Sequence, residues 1–151
     1  MKKTNALPNC GPTAVAHLLG ISVGEVMQEF RSTYGLDKRW KGRTTWWKLC
    51  GFIRREANVE EMKGKLSTRG TLNKWVENHT SSHGAYLVRV GDHFLAVINQ
   101  KVYDNHGVCV EPSEHWCKNK RVTHAQRYTL KSLRDNFFKW RKINGNEETT
   151  I

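Results

Sequence analysis

The sequence predicts an α+β domain, with helices in its first half and an antiparallel sheet in its second. Three observations carry this. Apolar residues recur at helical spacing through most of the first 80 positions. Two apolar runs of strand length, Ala-Tyr-Leu-Val-Arg-Val at 85–90 and Phe-Leu-Ala-Val-Ile at 94–98, follow Gly84 and are separated only by Gly-Asp-His. A 151-residue chain with 38% hydrophobic residues is long enough to bury an ordinary core, and no internal repeat or low-complexity segment divides it. We read residues 1–143 as a single domain and 144–151 as a polar tail.

The first element is centred on Asn-Cys-Gly-Pro-Thr-Ala-Val-Ala-His-Leu-Leu-Gly at 9–20. Asn9 is a good N-cap, Pro12 falls where its missing N–H costs little, and Ala14, Val15, Leu18 and Leu19 follow at helical spacing. Gly20 suits the left-handed residue that ends a helix. Ser22 and Glu25 have the spacing of a capping box, and Val23, Val26, Met27 and Phe30 continue a second helix that stops before Gly35. Residues 36–43 are polar and turn-like around Trp40. Thr44 or Thr45 caps a short third helix through Trp46, Trp47, Leu49 and Cys50, stopped by Gly51. Residues 52–59 read as a strand interrupted by Arg54-Arg55-Glu56, and residues 64–70 as a linker within the domain. Residues 71–78 read as a helix with Leu72, Trp75 and Val76 inward. After the two long runs, Val102-Tyr103-Asp104 forms a short third strand, residues 106–120 are irregular, residues 122–130 return as a strand, and residues 132–140 close the domain as a helix.

The net charge of +11, with pI near 9.8, steers such a protein toward nucleic acid, an acidic partner or an anionic surface. Basic residues gather at 38–55 and 118–142. The Met-Lys-Lys start is not followed by an apolar run, and no run is long enough to span a bilayer, so a cytoplasmic protein is expected. Four irregularly spaced cysteines in a reducing compartment read as thiols rather than as a disulfide frame.

Cys10 lies in the first turn of the first helix, at the positive end of its dipole, where a thiol gives up its proton readily. A nucleophilic thiol requires a base, and His93, opening an apolar strand after a glycine-containing turn, is the best placed of seven histidines. An even-numbered turn such as Asn99-Gln100 puts Asp104 on the same face as His93, opposite it or one diagonal step away. A three-residue turn puts Asn105 there instead. Either side chain can accept from an imidazole N–H, with Asp104 the choice and Asn105 the alternative third member.

These three islands resemble the papain-like cysteine peptidase superfamily, most closely its bacteriocin-processing, double-glycine leader peptidase branch. The matching residues are Asn-Cys-Gly-Pro-Thr-Ala at 9–14, Asp-His-Phe-Leu-Ala-Val-Ile at 92–98 and Val-Tyr-Asp at 102–104. The resemblance implies a papain-like fold, N-terminal helices packed on a C-terminal sheet, in which Cys10 forms an acyl-enzyme with His93 as base and Asp104 orienting it. It further implies an oxyanion hole made by the Cys10 amide and an upstream side-chain amide. The family usually has Gln about six residues before the nucleophile; here that position is Thr4, and Asn5, next along, carries the same amide on a shorter arm. Asp92 stands where the family commonly has Gly.

Two functions from different classes follow. One is a thiol hydrolase acting on a peptide, protein or other amide, or an acyltransferase using the same triad, with no cofactor. The other is a non-catalytic basic module binding a polyanion or acidic partner, suggested by the charge and by Trp40, Trp46 and Trp47 among basic residues. His106, Cys109, His115 and Cys117 are zinc-type residues, but a Cys-x7-Cys spacing without a Cys-x2-Cys pair is not that of a structural zinc module, and no metal is expected. Phosphate-cradling glycine loops and a Gly-x-Ser-x-Gly motif are absent from the sequence.

Overall fold

The computed structural model describes residues 8–56 and 66–129. They form four α-helices followed by a five-stranded antiparallel sheet: α1 (Cys10–Leu19), α2 (Val23–Tyr34), α3 (Trp46–Glu56), α4 (Leu72–His79), then β1 (Ala85–Val90), β2 (His93–Ile98), β3 (Lys101–Asp104), β4 (Gly107–Val110) and β5 (Val122–Tyr128). The strand order is β4-β3-β2-β1-β5. The α+β class is therefore as expected. The closing helix at 132–140, the tail, and Thr4 and Asn5 lie outside the described residues.

Helices cover both faces of the sheet. Ala85, Leu87, Phe94, Ala96 and Tyr128 pack against α1, α2 and α3, whereas Tyr86, Val88, Val90, Leu95 and Val97 pack against α4 and the Cys117 loop. Successive strand residues point to opposite faces, so a sheet covered on both sides requires apolar residues at every position. That is why β1 and β2 read as unbroken apolar runs. No single helix among the described residues is long and apolar enough to cross a membrane.

Several elements form as their local chemistry dictates. Ser22 and Glu25 complete both bonds of the capping box, at 3.0 and 3.1 Å. Gly20 ends α1 in the left-handed region at φ 73°, its N–H donating to the Ala16 carbonyl. Of the two threonines proposed to cap α3, Thr45 supplies the bond, its hydroxyl accepting from the Lys48 amide.

The structure corrects three expectations. First, α3 does not stop at Gly51 but runs to Glu56, replacing the expected strand at 52–59; residues 57–59 lie outside the described part. Leu49, Cys50, Phe52 and Ile53 form one buried face, and Phe30 packs edge-on to Phe52 with centroids 4.4 Å apart. Burying that face outweighs the roughly 1 kcal/mol cost of a mid-helix glycine. Second, β4 lies within the segment expected to be irregular. It is a short edge strand with Val108 and Cys109 turned outward, so its burial leaves no apolar periodicity to read. Third, Asn9 precedes α1 but its side chain caps nothing. Its Oδ1 accepts a hydrogen bond from Asn105 Nδ2 at 3.0 Å instead.

Gly42 presses against this same point. It adopts φ 111°, and a Cβ there would lie 2.7 Å from the Asn9 Cα. Gly20 also has positive φ, yet nothing lies within 4 Å of its Cβ direction. Gly20→Ala is therefore expected to cost about 1 kcal/mol, from backbone strain alone. Gly42→Ala should cost clearly more, about 2–3 kcal/mol. Urea denaturation of the two variants checks the order; equal losses would contradict the contact.

Candidate active site

β2 and β3 are joined by a two-residue turn in which Asn99 and Gln100 have φ of 53° and 66°. Left-handed conformation at both positions matches the right-handed strand twist. A non-glycine pair is held there because Gln100 Nε2 donates to the Thr80 and Val76 carbonyls at the end of α4. The register pairs Ile98 with Lys101 and Ala96 with Tyr103. His93 and Asp104 thus share a face, one diagonal step apart, as an even-numbered turn requires.

His93 and Asp104 are both buried, and His93 Nε2 lies 2.7 Å from Asp104 Oδ2. A second histidine joins them: His115 Nε2 lies 2.7 Å from the same oxygen, and His115 Nδ1 accepts from the Cys117 amide at 3.0 Å. Asp104 Oδ1 accepts the His106 amide at 2.9 Å. Burial pushes the Asp104 carboxyl upward, but the hydrogen bonds from His115, His93 and the His106 amide outweigh it and hold the group well below the usual carboxylate range.

An ionised Asp104 accepts only, so both imidazoles donate to it from Nε2. For His115 the tautomer is doubly determined, since its Nδ1 must accept from Cys117. For His93, when neutral, the proton on Nε2 leaves a lone pair on Nδ1. That nitrogen is buried and has no hydrogen-bond partner among the described residues. Trp116 packs over the cluster, its ring 5.0 Å from that of His93 and 5.9 Å from that of His115.

Cys10 opens α1 and is 5% exposed. Its Sγ lies 3.5 Å from the amide nitrogen of Phe94, the residue after His93, and accepts that hydrogen bond. α1 packs on the face of the sheet that carries Phe94 and Ala96, whereas His93 shares the opposite face with Leu95 and Val97. The sulfur thus reaches the backbone at the start of β2, one residue along from His93. A Cys10–His93 hydrogen bond is not formed among the described residues. Such contacts are often long in unliganded sites and tighten with substrate.

The thiol departs from expectation. Burial raises its pKa and prevails over the amides of Phe94, Gly11 and Cys10, which favour the thiolate; the nearby Asp92 charge also raises it. A helix N-terminus contributes about 0.3–1 kcal/mol, less than one pKa unit, and desolvation exceeds that here. The helix start therefore does not lower the Cys10 pKa; burial raises it above the ordinary thiol value.

The remaining candidates are also accounted for. Asn105 is not behind His93: it holds Asn9, the residue before Cys10. With Asn9 diverted, the amides of the first turn of α1 keep no side-chain cap. Of the zinc-type residues, His115 uses both ring nitrogens within the protein, Cys109 is exposed, and burial pushes the Cys117 thiol up to about 12. His115 is the residue sequence reasoning missed in this role; its place in a His-rich, Cys-rich loop was the only signal. Comparison with family models, curated proteins and solved structures found no match.

Because the Asp104 carboxyl is depressed in the folded protein, the unfolded chain binds more protons in acid, and this contribution is lost as pH falls. Asp104→Asn is expected to destabilise the protein by about 2–4 kcal/mol at neutral pH, leaving two buried imidazoles short of their acceptor. The gap from wild type should close as pH drops below about 4, where the unfolded carboxyl protonates. Urea titrations from neutral to acid pH measure it; a constant gap would mean the carboxylate is not the group responsible.

Proposed function

We propose that the chain is a thiol hydrolase of papain-like fold that cleaves an amide bond of a peptide or protein through an acyl-enzyme on Cys10. The observation that carries this reading is the unpartnered, buried Nδ1 of His93, whose Nε2 is tied to Asp104, on the residue adjoining the Cys10 sulfur's hydrogen-bond donor. A buried imidazole with a fixed tautomer and one bare lone pair, one residue from the amide that meets a thiol, is suited to act as a general base.

The raised thiol pKa sets the order of events. Sγ attacks the carbonyl carbon as Nδ1 removes its proton, rather than as a standing thiolate. The imidazolium so formed is stabilised by Asp104 through Nε2–H. The first-turn amide of Cys10, which has no intrahelical partner, donates to the developing oxyanion. Asn5 is proposed as the second donor on the strength of the resemblance. The imidazolium then protonates the departing amine, leaving a thioester. Water, deprotonated by His93, attacks it and releases the acid and the free thiol. An amine acceptor in place of water would make the same intermediate serve acyl transfer. Four free cysteines suit a reducing compartment such as the cytoplasm.

Cys109 is exposed and serves as an internal reference. A neutral peptidyl vinyl sulfone, followed by peptide mapping, should label Cys10 faster than Cys109. Labelling at Cys10 should fall about 100-fold or more in His93→Ala. Labelling of Cys10 no faster than Cys109, together with salt-dependent polyanion binding that survives Cys10→Ala, would favour the binding-module reading instead.

A further inference from the structure

We infer that the substrate carries an acidic side chain, recognised in a basic cleft walled by Phe94, the residue whose amide meets the Cys10 sulfur. The inference rests on the thiol hydrolase reading and assigns a substrate class to that same site. A cleft of about 530 Å³ lies between the start of α3 and the β1–β2 turn, and Phe94, whose amide contacts the Cys10 sulfur, forms part of its wall. The other end is anchored on the same helix: Gly11, next to Cys10, is packed so closely beneath Thr44 of the cleft that a Cβ would lie 3.1 Å from its methyl group.

The charges lining this cleft are unequal. Arg43, Lys48 and Arg89 face one carboxylate, Asp92. None of the three cations forms an ion pair among the described residues, although neighbouring surface cations do, as in Arg39–Asp37 and Lys101–Glu111. The Arg89 guanidinium lies 6.0 Å over the Phe94 ring, and its Nε is buried without a hydrogen-bond partner among the described residues. The guanidinium is thus held at the cleft wall by packing on Phe94 rather than by a protein acceptor. Trp47, 75% exposed, offers an apolar wall for the stem of such a side chain.

A cleft of this size, bounded by Phe94 and by the Thr44 that packs on Gly11, suits a side chain better than a polymer backbone. That favours an acidic peptide over nucleic acid as the anion. Three positive groups around one site favour a carboxylate and repel a lysine, through interactions that salt weakens.

The test uses three vinyl sulfone tripeptides identical except for Glu, Gln or Lys beside the electrophile, with Cys10 labelling followed by peptide mapping of the full chain. The Glu probe is expected to label about tenfold faster than the Lys probe at low salt, with Gln between, and the spread should shrink at high salt. In the Arg43→Glu, Lys48→Glu double variant, which changes two exposed side chains, the Glu-to-Lys ratio should fall below one. If that variant does not fold, the salt dependence in the wild-type chain decides alone. Equal rates for all three probes, or protection of Cys10 by a single-stranded oligonucleotide without charge discrimination among peptides, would overturn the acidic-peptide assignment while leaving the thiol chemistry intact. No labelling of Cys10 by any probe would remove both.

Discussion

The Asp104 carboxylate is a buried charge that must be matched where it stands, and much of the fold is arranged to match it. Two imidazoles and a backbone amide give it three donors. An isolated carboxylate in such a place would cost several kcal/mol and would protonate; three charge-assisted bonds keep it ionised. Each donor comes from a different piece of local structure. The Asn99-Gln100 turn sets the register that brings His93 across from it. The tight turn into β4 supplies the His106 amide, and the loop after the short 3-10 turn at Pro112–Glu114 supplies His115. Altering any of these would leave charge or donors unmatched in the interior.

The consequence for chemistry follows from bond counting. A carboxylate that can only accept assigns the His93 proton to Nε2, and the lone pair to Nδ1, without help from the thiol. In the proposed mechanism the base is thus prepared before the thiol is engaged. Cys10, in turn, is held protonated by burial, with the amides of the helix start and of Phe94 near its sulfur. In the proposed mechanism the two halves are coupled only when a substrate arrives at the strand end. Asn105 and Gly42 contribute indirectly by fixing Asn9, which leaves the first-turn amides of α1 uncapped.

Much of this was legible in the residues. The Asn-Cys-Gly-Pro turn marked the helix start, the apolar runs marked β1 and β2, and parity narrowed the partner of His93 to Asp104 or Asn105, a choice that the two-residue turn of the structure decides for Asp104. What stayed hidden depends on contacts between distant segments. His115 is 11 residues from Asp104 and has no periodic signal. The helical continuation through Gly51 is decided by the core it meets, not by glycine's own preference. The raised pKa of Cys10 is a result of burial depth, which a helix-terminus argument from sequence does not contain. The diversion of Asn9 from its expected capping bond similarly requires a partner 96 residues away.

His93, in the proposed site, holds its proton on Nε2 and leaves a buried Nδ1 bare. Nitrogen-15 NMR of the imidazoles at neutral to mildly alkaline pH tests it directly. The account predicts the Nε2–H tautomer for neutral His93, with a downfield Nε2 proton that persists in Cys10→Ala and is lost in Asp104→Asn. A His93 ring protonated on Nδ1 instead would contradict it.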